Sequence, residues 1–326
     1  MKKNKTIIIA EAGVNHNGRL DTAKRLINKA SIAGADIIKF QTFSTDKLVL
    51  FNKQKGVGKS LYSMLRRLEL SFEEFKDISK ICKKRKIEFL STGFDIDSLK
   101  LLQFFKLKRL KIPSGEITNY PLLKFAAKLK KKIILSTGMS TIKEIESALK
   151  VLNKYGTPLK KITVLHCNSS YPTPINDANL KAMVTIKNRF GVEVGYSDHT
   201  LGIEAPIIAV SLGAKIIEKH FTLNRNYKGP DHKTSIEPNE LREMVLAIRK
   251  TEKYLGSGEK NVTKSEKENK NLVRKSIATL KNIKKGEKFS ESNLTTKRPG
   301  YGISAMKWDE IIGKKAKRNY KINEFI

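Results

Sequence analysis

Residues 192–221 read VEVGYSDHTLGIEAPIIAVSLGAKIIEKHF, and this stretch decides the fold. Two short apolar runs flank a helical-period segment at 203–212, which is the pattern of a strand–helix–strand unit in a parallel sheet. His199 and His220 each follow directly on one of these runs. Because parallel strands end at the same edge of their sheet, neighbouring strands bring both imidazoles to one cavity mouth. The stretch therefore predicts a parallel α/β fold, in which the two histidines are either ligands of a divalent metal or ordinary strand-end residues.

The same alternation extends back to the N-terminus. Apolar runs predict strands near 6–11, 36–41, 87–92, 108–113, 132–137, 162–167, 192–197 and 215–220. Helical-period segments lie between them and after them, near 20–30, 72–85, 95–105, 120–129, 141–155, 178–189, 203–212 and 238–255. Eight such units within residues 1–255 match a (β/α)8 TIM barrel, whereas a doubly wound sheet seldom needs eight parallel strands.

Two insertions and a C-terminal region depart from this pattern. Residues 44–70 predict a long basic loop after the second strand, and 222–237 predict another after the eighth. Long loops in a compact domain are usually functional or disordered. Residues 256–270, GSGEKNVTKSEKENK, are almost free of apolar side chains and predict a linker. We therefore expect a barrel over 1–255, a linker over 256–270 and a small, mostly β domain over 271–326.

The chain is strongly basic, with 65 Lys and Arg against 32 Asp and Glu and a formal net charge of +33. The basic residues are 52 lysines and 13 arginines, spread along the whole sequence. Nucleic-acid sites favour arginine clusters interleaved with aromatic residues, which this chain lacks. We therefore expect no nucleic-acid partner, and a diffuse positive field that favours the approach of small anions.

Cysteine content and hydropathy indicate the compartment. Cys82 and Cys167 are the two cysteines, and their spacing suits neither a disulfide framework nor a zinc cluster. The apolar run after the basic N-terminus covers only Ile7–Ala10, and no stretch approaches the roughly 18 apolar residues of a membrane span. We expect a cytoplasmic protein without a membrane partner.

Polar residues recur where the predicted strands end. Lys39 and Lys111 each lie in an otherwise apolar strand. Four hydroxyl residues follow at other strand ends: Thr92, Ser114, Ser136 and Ser197. Two lysines surrounded by hydroxyl groups predict a pocket for a phosphate and a carboxylate. A Schiff-base aldolase is the alternative, because a buried lysine at a barrel strand end is also a suitable nucleophile.

The two histidines offer only two strong metal ligands. No cysteine and no HExxH motif accompanies them, so water and substrate oxygens would fill the remaining positions. Such an open site suits Mn²⁺ or Mg²⁺, and two imidazoles favour Mn²⁺. Asp231, in the turn Gly229–His232, is either a turn former or a residue that orients a substrate hydroxyl.

Several motifs together strongly resemble the bacterial sialic acid (nonulosonic acid) synthases. They are IIIAEAGVNHNG, IIKFQTF, KIPSGEITNYPLL, ILSTGMS, LHCNSSYPTP, the stretch from Gly195 to Thr222, and GPDHKTSIEP. The C-terminal sequences KKGEKF and NLTTKRPGYGI are similar to the antifreeze-like (SAF) domain of that family. The resemblance covers essentially the whole chain.

The resemblance implies that phosphoenolpyruvate condenses with an N-acetylated hexosamine, with loss of phosphate by C–O cleavage. N-acetylmannosamine is the expected sugar, which would give N-acetylneuraminate, and a diacetamido 6-deoxy sugar, leading to N,N'-diacetyllegionaminate or pseudaminate, is the alternative. It also implies a domain-swapped homodimer, in which Arg298 reaches the sugar in the partner's barrel. The residues themselves make Glu116 the expected group to position or deprotonate the water that adds at C2 of phosphoenolpyruvate, and holding Lys111 is the alternative role for this carboxylate.

The remaining site residues follow from the same resemblance. Metal ligands fall on His199 and His220. Phosphoenolpyruvate contacts fall on Lys39, Thr92, Lys111, Ser114, Ser136 and Ser197, and sugar contacts on Glu11, Gln41, Tyr171 and Asp231. The chain departs from the family at Gly93, where relatives often carry proline, and the asparagine of some members aligns with Ser169, which leaves the contact to either Asn168 or Ser169.

Overall fold

The computed structural model describes residues 5–50 and 59–326. Eight parallel strands form a closed barrel in sequential order, and β1 pairs with β8 to close it. The strands are β1 Ile7–Gly13, β2 Ile37–Thr42, β3 Glu88–Gly93, β4 Arg109–Ile112, β5 Lys132–Ser136, β6 Ile162–Cys167, β7 Glu193–Asp198 and β8 Ile216–His220. The TIM-barrel prediction is confirmed.

The helices alternate with these strands and cover the barrel. Those of the first compact unit, Met1–Gly256, are α1 Leu20–Ala33, α2 Thr45–Leu48, α3 Lys59–Arg66, α4 Phe72–Lys84, α5 Ile96–Gln103, α6 Tyr120–Lys128, α7 Ile142–Lys154, α8 Lys181–Phe190, α9 Glu204–Ser211 and α10 Pro238–Leu255. Local sequence sets several of their ends. Ser71 and Thr141 begin α4 and α7 with capping boxes, and Gly34 ends α1 in the left-handed conformation, at φ +88°.

A single continuous core joins the barrel to its helices. The strands contribute buried aliphatic residues, such as Ile8, Ile38 and Val164, and the helices bury their apolar faces against them, as Leu26 and Leu152 do. Strands that are covered on both faces must be almost wholly apolar, because no face meets water. Charged residues in such strands are therefore expected only near the strand ends, where their side chains can reach a polar cavity.

The insertion at 44–70 was predicted as a loop, and this prediction is wrong for part of its length. Helix α2 begins at Thr45, and α3 covers Lys59–Arg66; residues 51–58 lie outside the described residues. The second insertion, 222–237, is a loop as expected, with one 3-10 turn at His232–Thr234.

The second compact unit covers Ser257–Ile326. It has a small core of its own around Ile277, Ile283, Phe289 and Leu294, and two antiparallel strands, β9 Ser276–Thr279 and β10 Leu294–Lys297. Its helices are α11 Lys267–Val273 and α12 Trp308–Ile311, so the last four residues of the predicted linker are helical. Among residues 5–50 and 59–326, no helix has both the length and the apolar character that a bilayer crossing requires.

Candidate active site

A cavity of about 470 Å³ lies at the carboxyl ends of the barrel strands. Every barrel strand ends toward it, so side chains far apart in sequence meet there. Thirteen of the predicted site residues line it: Glu11, Lys39, Gln41, Thr92, Lys111, Ser114, Ser136, Ser169, Tyr171, Ser197, His199, His220 and Asp231. The strand-end argument therefore located most of the candidate site.

Four buried charges form a chain across the cavity floor. Lys39 Nζ lies 2.8 Å from Glu11 Oε2 and 3.6 Å from Glu218 Oε1, and Lys111 Nζ lies 3.1 Å from the same oxygen of Glu218. The sequence analysis assigned no role to Glu218. A signal for it was present, because two lysines buried in a barrel need carboxylate partners, and residue 218 shares a strand face with His220.

The two carboxyl groups differ sharply in acidity. Burial raises the pKa of Glu11 to about 7, although Lys39 opposes this effect. Burial also acts on Glu218, but the ammonium groups of Lys111 and Lys39 outweigh it and lower the pKa of that carboxyl to about 2. At neutral pH the Glu218 carboxylate is therefore permanently charged, while Glu11 can exchange a proton.

Hydroxyl groups surround the two lysines. Lys39 Nζ donates to Thr92 Oγ1 at 3.0 Å, and Lys111 Nζ donates to Ser136 Oγ at 2.7 Å. Ser197 Oγ donates to Glu218 Oε1 at 3.2 Å. Ammonium and hydroxyl donors that converge on one space suit an anion with several oxygens, such as a phosphate beside a carboxylate.

The loop after β5 brings its backbone close to this space. Gly138 N donates to Ser114 Oγ at 2.9 Å. A Cβ atom on residue 138 would lie only 2.2 Å from Ser169 Oγ and 2.9 Å from Ser114 Oγ. A side chain at residue 138 would therefore displace one or both of these hydroxyl groups from their positions.

The two histidines are adjacent, as predicted. Their ring centroids are 5.3 Å apart, and His199 Nδ1 donates to the backbone oxygen of Asn168 at 2.5 Å. His220 Nδ1 is buried without a hydrogen-bond partner, 3.7 Å from Asp231 Oδ2. Burial lowers the pKa of His199 to about 4 and that of His220 to about 3, so both rings are neutral at pH 7.

These properties fit a divalent cation. Neutral imidazole is the form that binds metals, and the carbonyl of Asn168 fixes the tautomer of His199 so that its Nε2 is the free ligand atom. No group of three or more His, Cys, Asp and Glu side chains able to hold a metal occurs within the described part of the chain. An ion at this position would therefore complete its shell with water or substrate oxygens.

Three polar side chains surround Gly13, and one of them, Asp231, is the neighbour of His220. A Cβ atom there would lie 3.3–3.4 Å from Gln41, Asp231 and Glu11, so these three side chains converge on one point. The ring of Tyr171 packs against His199, with centroids 4.1 Å apart. Carboxylate, amide and phenol groups in this arrangement can exchange hydrogen bonds with hydroxyl and amide groups of a ligand.

An apolar wall closes another part of the cavity, and the sequence analysis did not predict it. It consists of Val14, Met64, Leu65, Leu68 and Phe94. Val14 and Leu68 are buried in a small separate cluster, against which Leu65 and Phe94 pack. The apolar spacing of residues 61–68 (LYSMLRRL) indicates a helix with one apolar face. We did not use this pattern, because we interpreted residues 44–70 as a loop.

Two predicted site residues of the barrel do not line the cavity, and a third belongs to the second unit. Glu116 lies in the 3-10 turn Ser114–Glu116, which directs Ser114 inward, and its carboxylate accepts from Asn119 Nδ2 at 2.6 Å. Asn168 directs its side chain to Ser170 N and Asp177 O, so Ser169 is the cavity residue of this pair. Arg298 is exposed in the second unit, directly after β10.

Comparison with known proteins identifies the family. The model of the NeuB family matches residues 26–260, and that of the SAF domain matches residues 274–326. The chain belongs to the NeuB family. The resemblance to sialic acid synthases is thereby confirmed, and so is the expectation of an enzyme with a C-terminal SAF domain.

Similar proteins cover nearly the whole chain. N,N'-diacetyllegionaminic acid synthase of Campylobacter jejuni is 52% identical over 99% of both chains. The synthase of the same name from Legionella pneumophila is 44% identical over 96% of this chain and 90% of its own length. The crystal structure of N-acetylneuraminic acid synthetase from Leptospira borgpetersenii, solved with citrate, is 38% identical with a TM-score of 0.75, over 81% of this chain and 90% of that one. NeuB-family relatives of this chain are thus named as nonulosonic acid synthases.

Proposed function

We propose that this NeuB-family enzyme condenses phosphoenolpyruvate with the open-chain form of an N-acetylated 6-deoxy diacetamido sugar. The products would be N,N'-diacetyllegionaminate and phosphate. The observation that carries the proposal is the buried chain Glu11–Lys39–Glu218–Lys111 beside two neutral histidines. It combines a site for a small anion with a site for a divalent cation in one cavity.

Phosphoenolpyruvate would bind at the two lysines and their hydroxyl partners. Lys39 and Lys111 supply two positive charges in a region from which water is largely excluded, where such charges interact strongly with an anion. The hydroxyl groups of Thr92, Ser136 and Ser197 supply directional hydrogen bonds. Because Glu11 and Glu218 already balance the lysines, the arriving anion makes the site negative and favours protonation of Glu11.

His199 and His220 would hold Mn²⁺ in preference to Mg²⁺, because two nitrogen ligands suit Mn²⁺ better. When bound, the cation would act as a Lewis acid toward the aldehyde oxygen of the sugar. Glu11, Gln41, Tyr171 and Asp231 would orient the sugar hydroxyl and amide groups, so that its aldehyde carbon faces the enol carbon of phosphoenolpyruvate.

The enol carbon then attacks the aldehyde carbon, the C=O π bond opens and its oxygen takes up a proton, and water adds to the cationic C2 of the former phosphoenolpyruvate with loss of a proton. Of the two buried carboxyl groups, Glu11 is the one with a pKa near neutrality, so it is our candidate for the group that exchanges a proton during this step. Glu116, the residue expected in this role, lies outside the cavity. The tetrahedral adduct expels phosphate as the C–O bond breaks, and Lys39 and Lys111 stabilise the departing charge.

The diacetamido sugar is preferred over N-acetylmannosamine for two reasons. The apolar wall offers a surface for a methyl group at C6 and for a second acetamido methyl, whereas the 6-hydroxyl of N-acetylmannosamine would lose hydrogen bonds to water there. In addition, the relatives at 52% and 44% identity are both named N,N'-diacetyllegionaminic acid synthases.

Phosphate release from phosphoenolpyruvate tests this proposal directly. The purified full chain, with Mn²⁺, would be assayed with the diacetamido 6-deoxy analogue of N-acetylmannosamine, with a stereoisomer of that analogue, and with N-acetylmannosamine itself. We expect the highest kcat/KM for the first sugar. Release with none of the three would refute the synthase proposal, and a preference for N-acetylmannosamine would refute the choice of sugar.

We also propose a homodimer, which the family resemblance implies. It would supply Arg298 to the sugar end of the partner's cavity. No residue in the described cavity lining carries a guanidinium group, so an arginine from another chain would add a donor that this lining lacks.

A further inference from the structure

A buried ion pair lies behind the two histidines. Asp198 and Lys219 are direct cross-strand partners in the pairing of β7 with β8, and their side chains are 0% and 1% exposed. Ser197 and Glu218, one residue earlier in each strand, line the cavity. Because side chains alternate along a strand, Asp198 and Lys219 lie on the opposite face of the barrel wall, which the helices cover.

The pair holds the backbone of one particular residue. Lys219 Nζ donates to Asp198 Oδ2 and to the carbonyl oxygen of Thr200, the latter at 2.8 Å. Thr200 N donates to Asp198 Oδ1 at 2.9 Å. Both polar backbone groups of Thr200 are therefore bound by the pair. His199 lies between Asp198 and Thr200, and His220 directly follows Lys219. The ion pair therefore fixes the backbone next to both histidines.

Stability alone does not explain this arrangement. Removing two charges from water costs several kcal/mol per ion, and apolar residues of similar volume are often at least as stabilising. The outer face of a barrel strand is normally apolar, and an aliphatic pair would pack against the helices there. What an aliphatic pair could not do is bind the N–H and carbonyl groups of Thr200.

We propose that Asp198 and Lys219 are positioning residues that set the separation and orientation of His199 and His220 through the backbone of Thr200. The proposal rests on the metal site of the proposed function. It assigns the pair no contact with substrate. Groups that orient metal ligands without touching the metal typically change metal affinity about 10- to 100-fold when they are removed.

The test is the double variant Asp198→Leu/Lys219→Met, which replaces the ion pair with apolar side chains. Mn²⁺ binding to the chelator-treated full chain would be measured by titration calorimetry, and thermal unfolding would be recorded alongside. We expect a Kd for Mn²⁺ about 10- to 100-fold higher than that of the unmodified chain, with the melting temperature retained. Phosphoenolpyruvate affinity should be unchanged, because Lys39 and Lys111 are untouched.

A second ion pair provides a matched control. Arg109 Nε donates to Glu88 Oε1 at 2.8 Å, between β3 and β4 at the amino ends of the barrel strands, far from the histidines. Glu88→Leu/Arg109→Met should leave the Mn²⁺ affinity unchanged. A single variant, Asp198→Asn, keeps an oxygen for Thr200 N and should give an intermediate loss of affinity, so it serves if the double variant does not fold.

Nitrogen-15 spectra of the histidine side chains give a readout in the metal-free protein. We expect the Nδ1–H tautomer of His199 in the unmodified chain and a mixture of tautomers in the double variant. Unaltered tautomers and unaltered Mn²⁺ affinity in both Asp198 variants would overturn the positioning role and leave the proposed function intact. If the unmodified chain binds no Mn²⁺, the metal assignment and the positioning role both fail, while phosphate release still decides the synthase proposal independently.

Discussion

His16 is fully buried in the loop after β1, and we expect it to make the protein sensitive to acid. Its Nδ1 accepts from Gly18 N at 3.0 Å, while its Nε2 is buried without a partner. Burial lowers its pKa from 6.5 to about 4. Because the folded-state pKa lies below the unfolded-state value, the stabilising contribution is complete above pH 6.5 and is lost as the pH falls toward 4.

We expect the His16→Gln variant to be less sensitive to acid than the unmodified chain. Between pH 7 and 4.5, the pKa shift of His16 should cost the unmodified chain about 2 kcal/mol of unfolding free energy that the variant does not lose. Urea unfolding at both pH values measures the difference. The other histidines are present in both proteins, so their contributions cancel. An equal loss in the two proteins would contradict the assignment.

Lys111 is the better candidate for the aldolase alternative, because burial lowers the pKa of its ammonium group. Burial alone would also lower the pKa of Lys39, but the carboxylates of Glu11 and Glu218 outweigh this effect and raise it. In the proposed synthase both lysines act only as cations. We therefore expect borohydride, added with phosphoenolpyruvate and the sugar, to leave the intact mass of the chain unchanged. The comparison is the same treatment without substrates. A substrate-dependent mass increase on the peptide that contains Lys111 would favour the aldolase.

At the residue scale, the sequence predicted which side chains line the cavity wherever the alternation along a strand decides their direction. Lys39, Ser197 and His220 line the cavity for this reason. Glu116 and Asn168 lie beyond the strand ends, where the turn geometry decides. Short hydrogen bonds to Asn119 and Ser170 direct these two side chains elsewhere, and no pattern in the sequence indicated those bonds.

At the element scale, the eight barrel strands were predictable because a strand buried on both faces must be an apolar run between polar segments. The same argument failed for residues 44–70. Helix α3 packs only a small satellite cluster, not the main core, so its apolar periodicity is short and set among charged residues. The apolar wall that it contributes was missed with it.

The apolar wall should set sugar selectivity, and Leu65 is the position at which to test it. This residue of α3 is half-buried and lines the cavity, so a polar replacement of similar size should preserve the fold. In Leu65→Gln we expect kcat/KM for the diacetamido sugar to fall about 10-fold relative to that for N-acetylmannosamine, since contacts of this kind are worth roughly 1–3 kcal/mol.

Leu61 offers the control for this measurement. It lies one turn earlier in the same helix, is 47% exposed and does not line the cavity. Leu61→Gln should leave the ratio of the two kcat/KM values unchanged. Equal ratios in Leu65→Gln and in the unmodified chain would show that the wall does not contact the part of the sugar in which the two substrates differ.

At the scale of the whole molecule, the proposed role of the SAF domain is to supply Arg298 to a catalytic cavity. Arg298 is exposed and has no hydrogen bond or ion pair among the interactions described for its own unit. The family resemblance places such an arginine in the partner's barrel. Subunit complementation distinguishes this arrangement from one in which Arg298 serves the cavity of its own chain. The two arrangements predict opposite activities for a dimer of two different variants.

Arg298→Ala and His220→Ala should each be nearly inactive as homodimers. In a heterodimer purified through two different tags, the barrel of the Arg298→Ala chain keeps His220 and receives Arg298 from its partner. One of the two cavities is then complete, so we expect about half of the activity of the unmodified dimer. Light scattering would verify the dimer. An inactive heterodimer would mean that Arg298 serves the barrel of its own chain, and a monomer would exclude the exchange altogether.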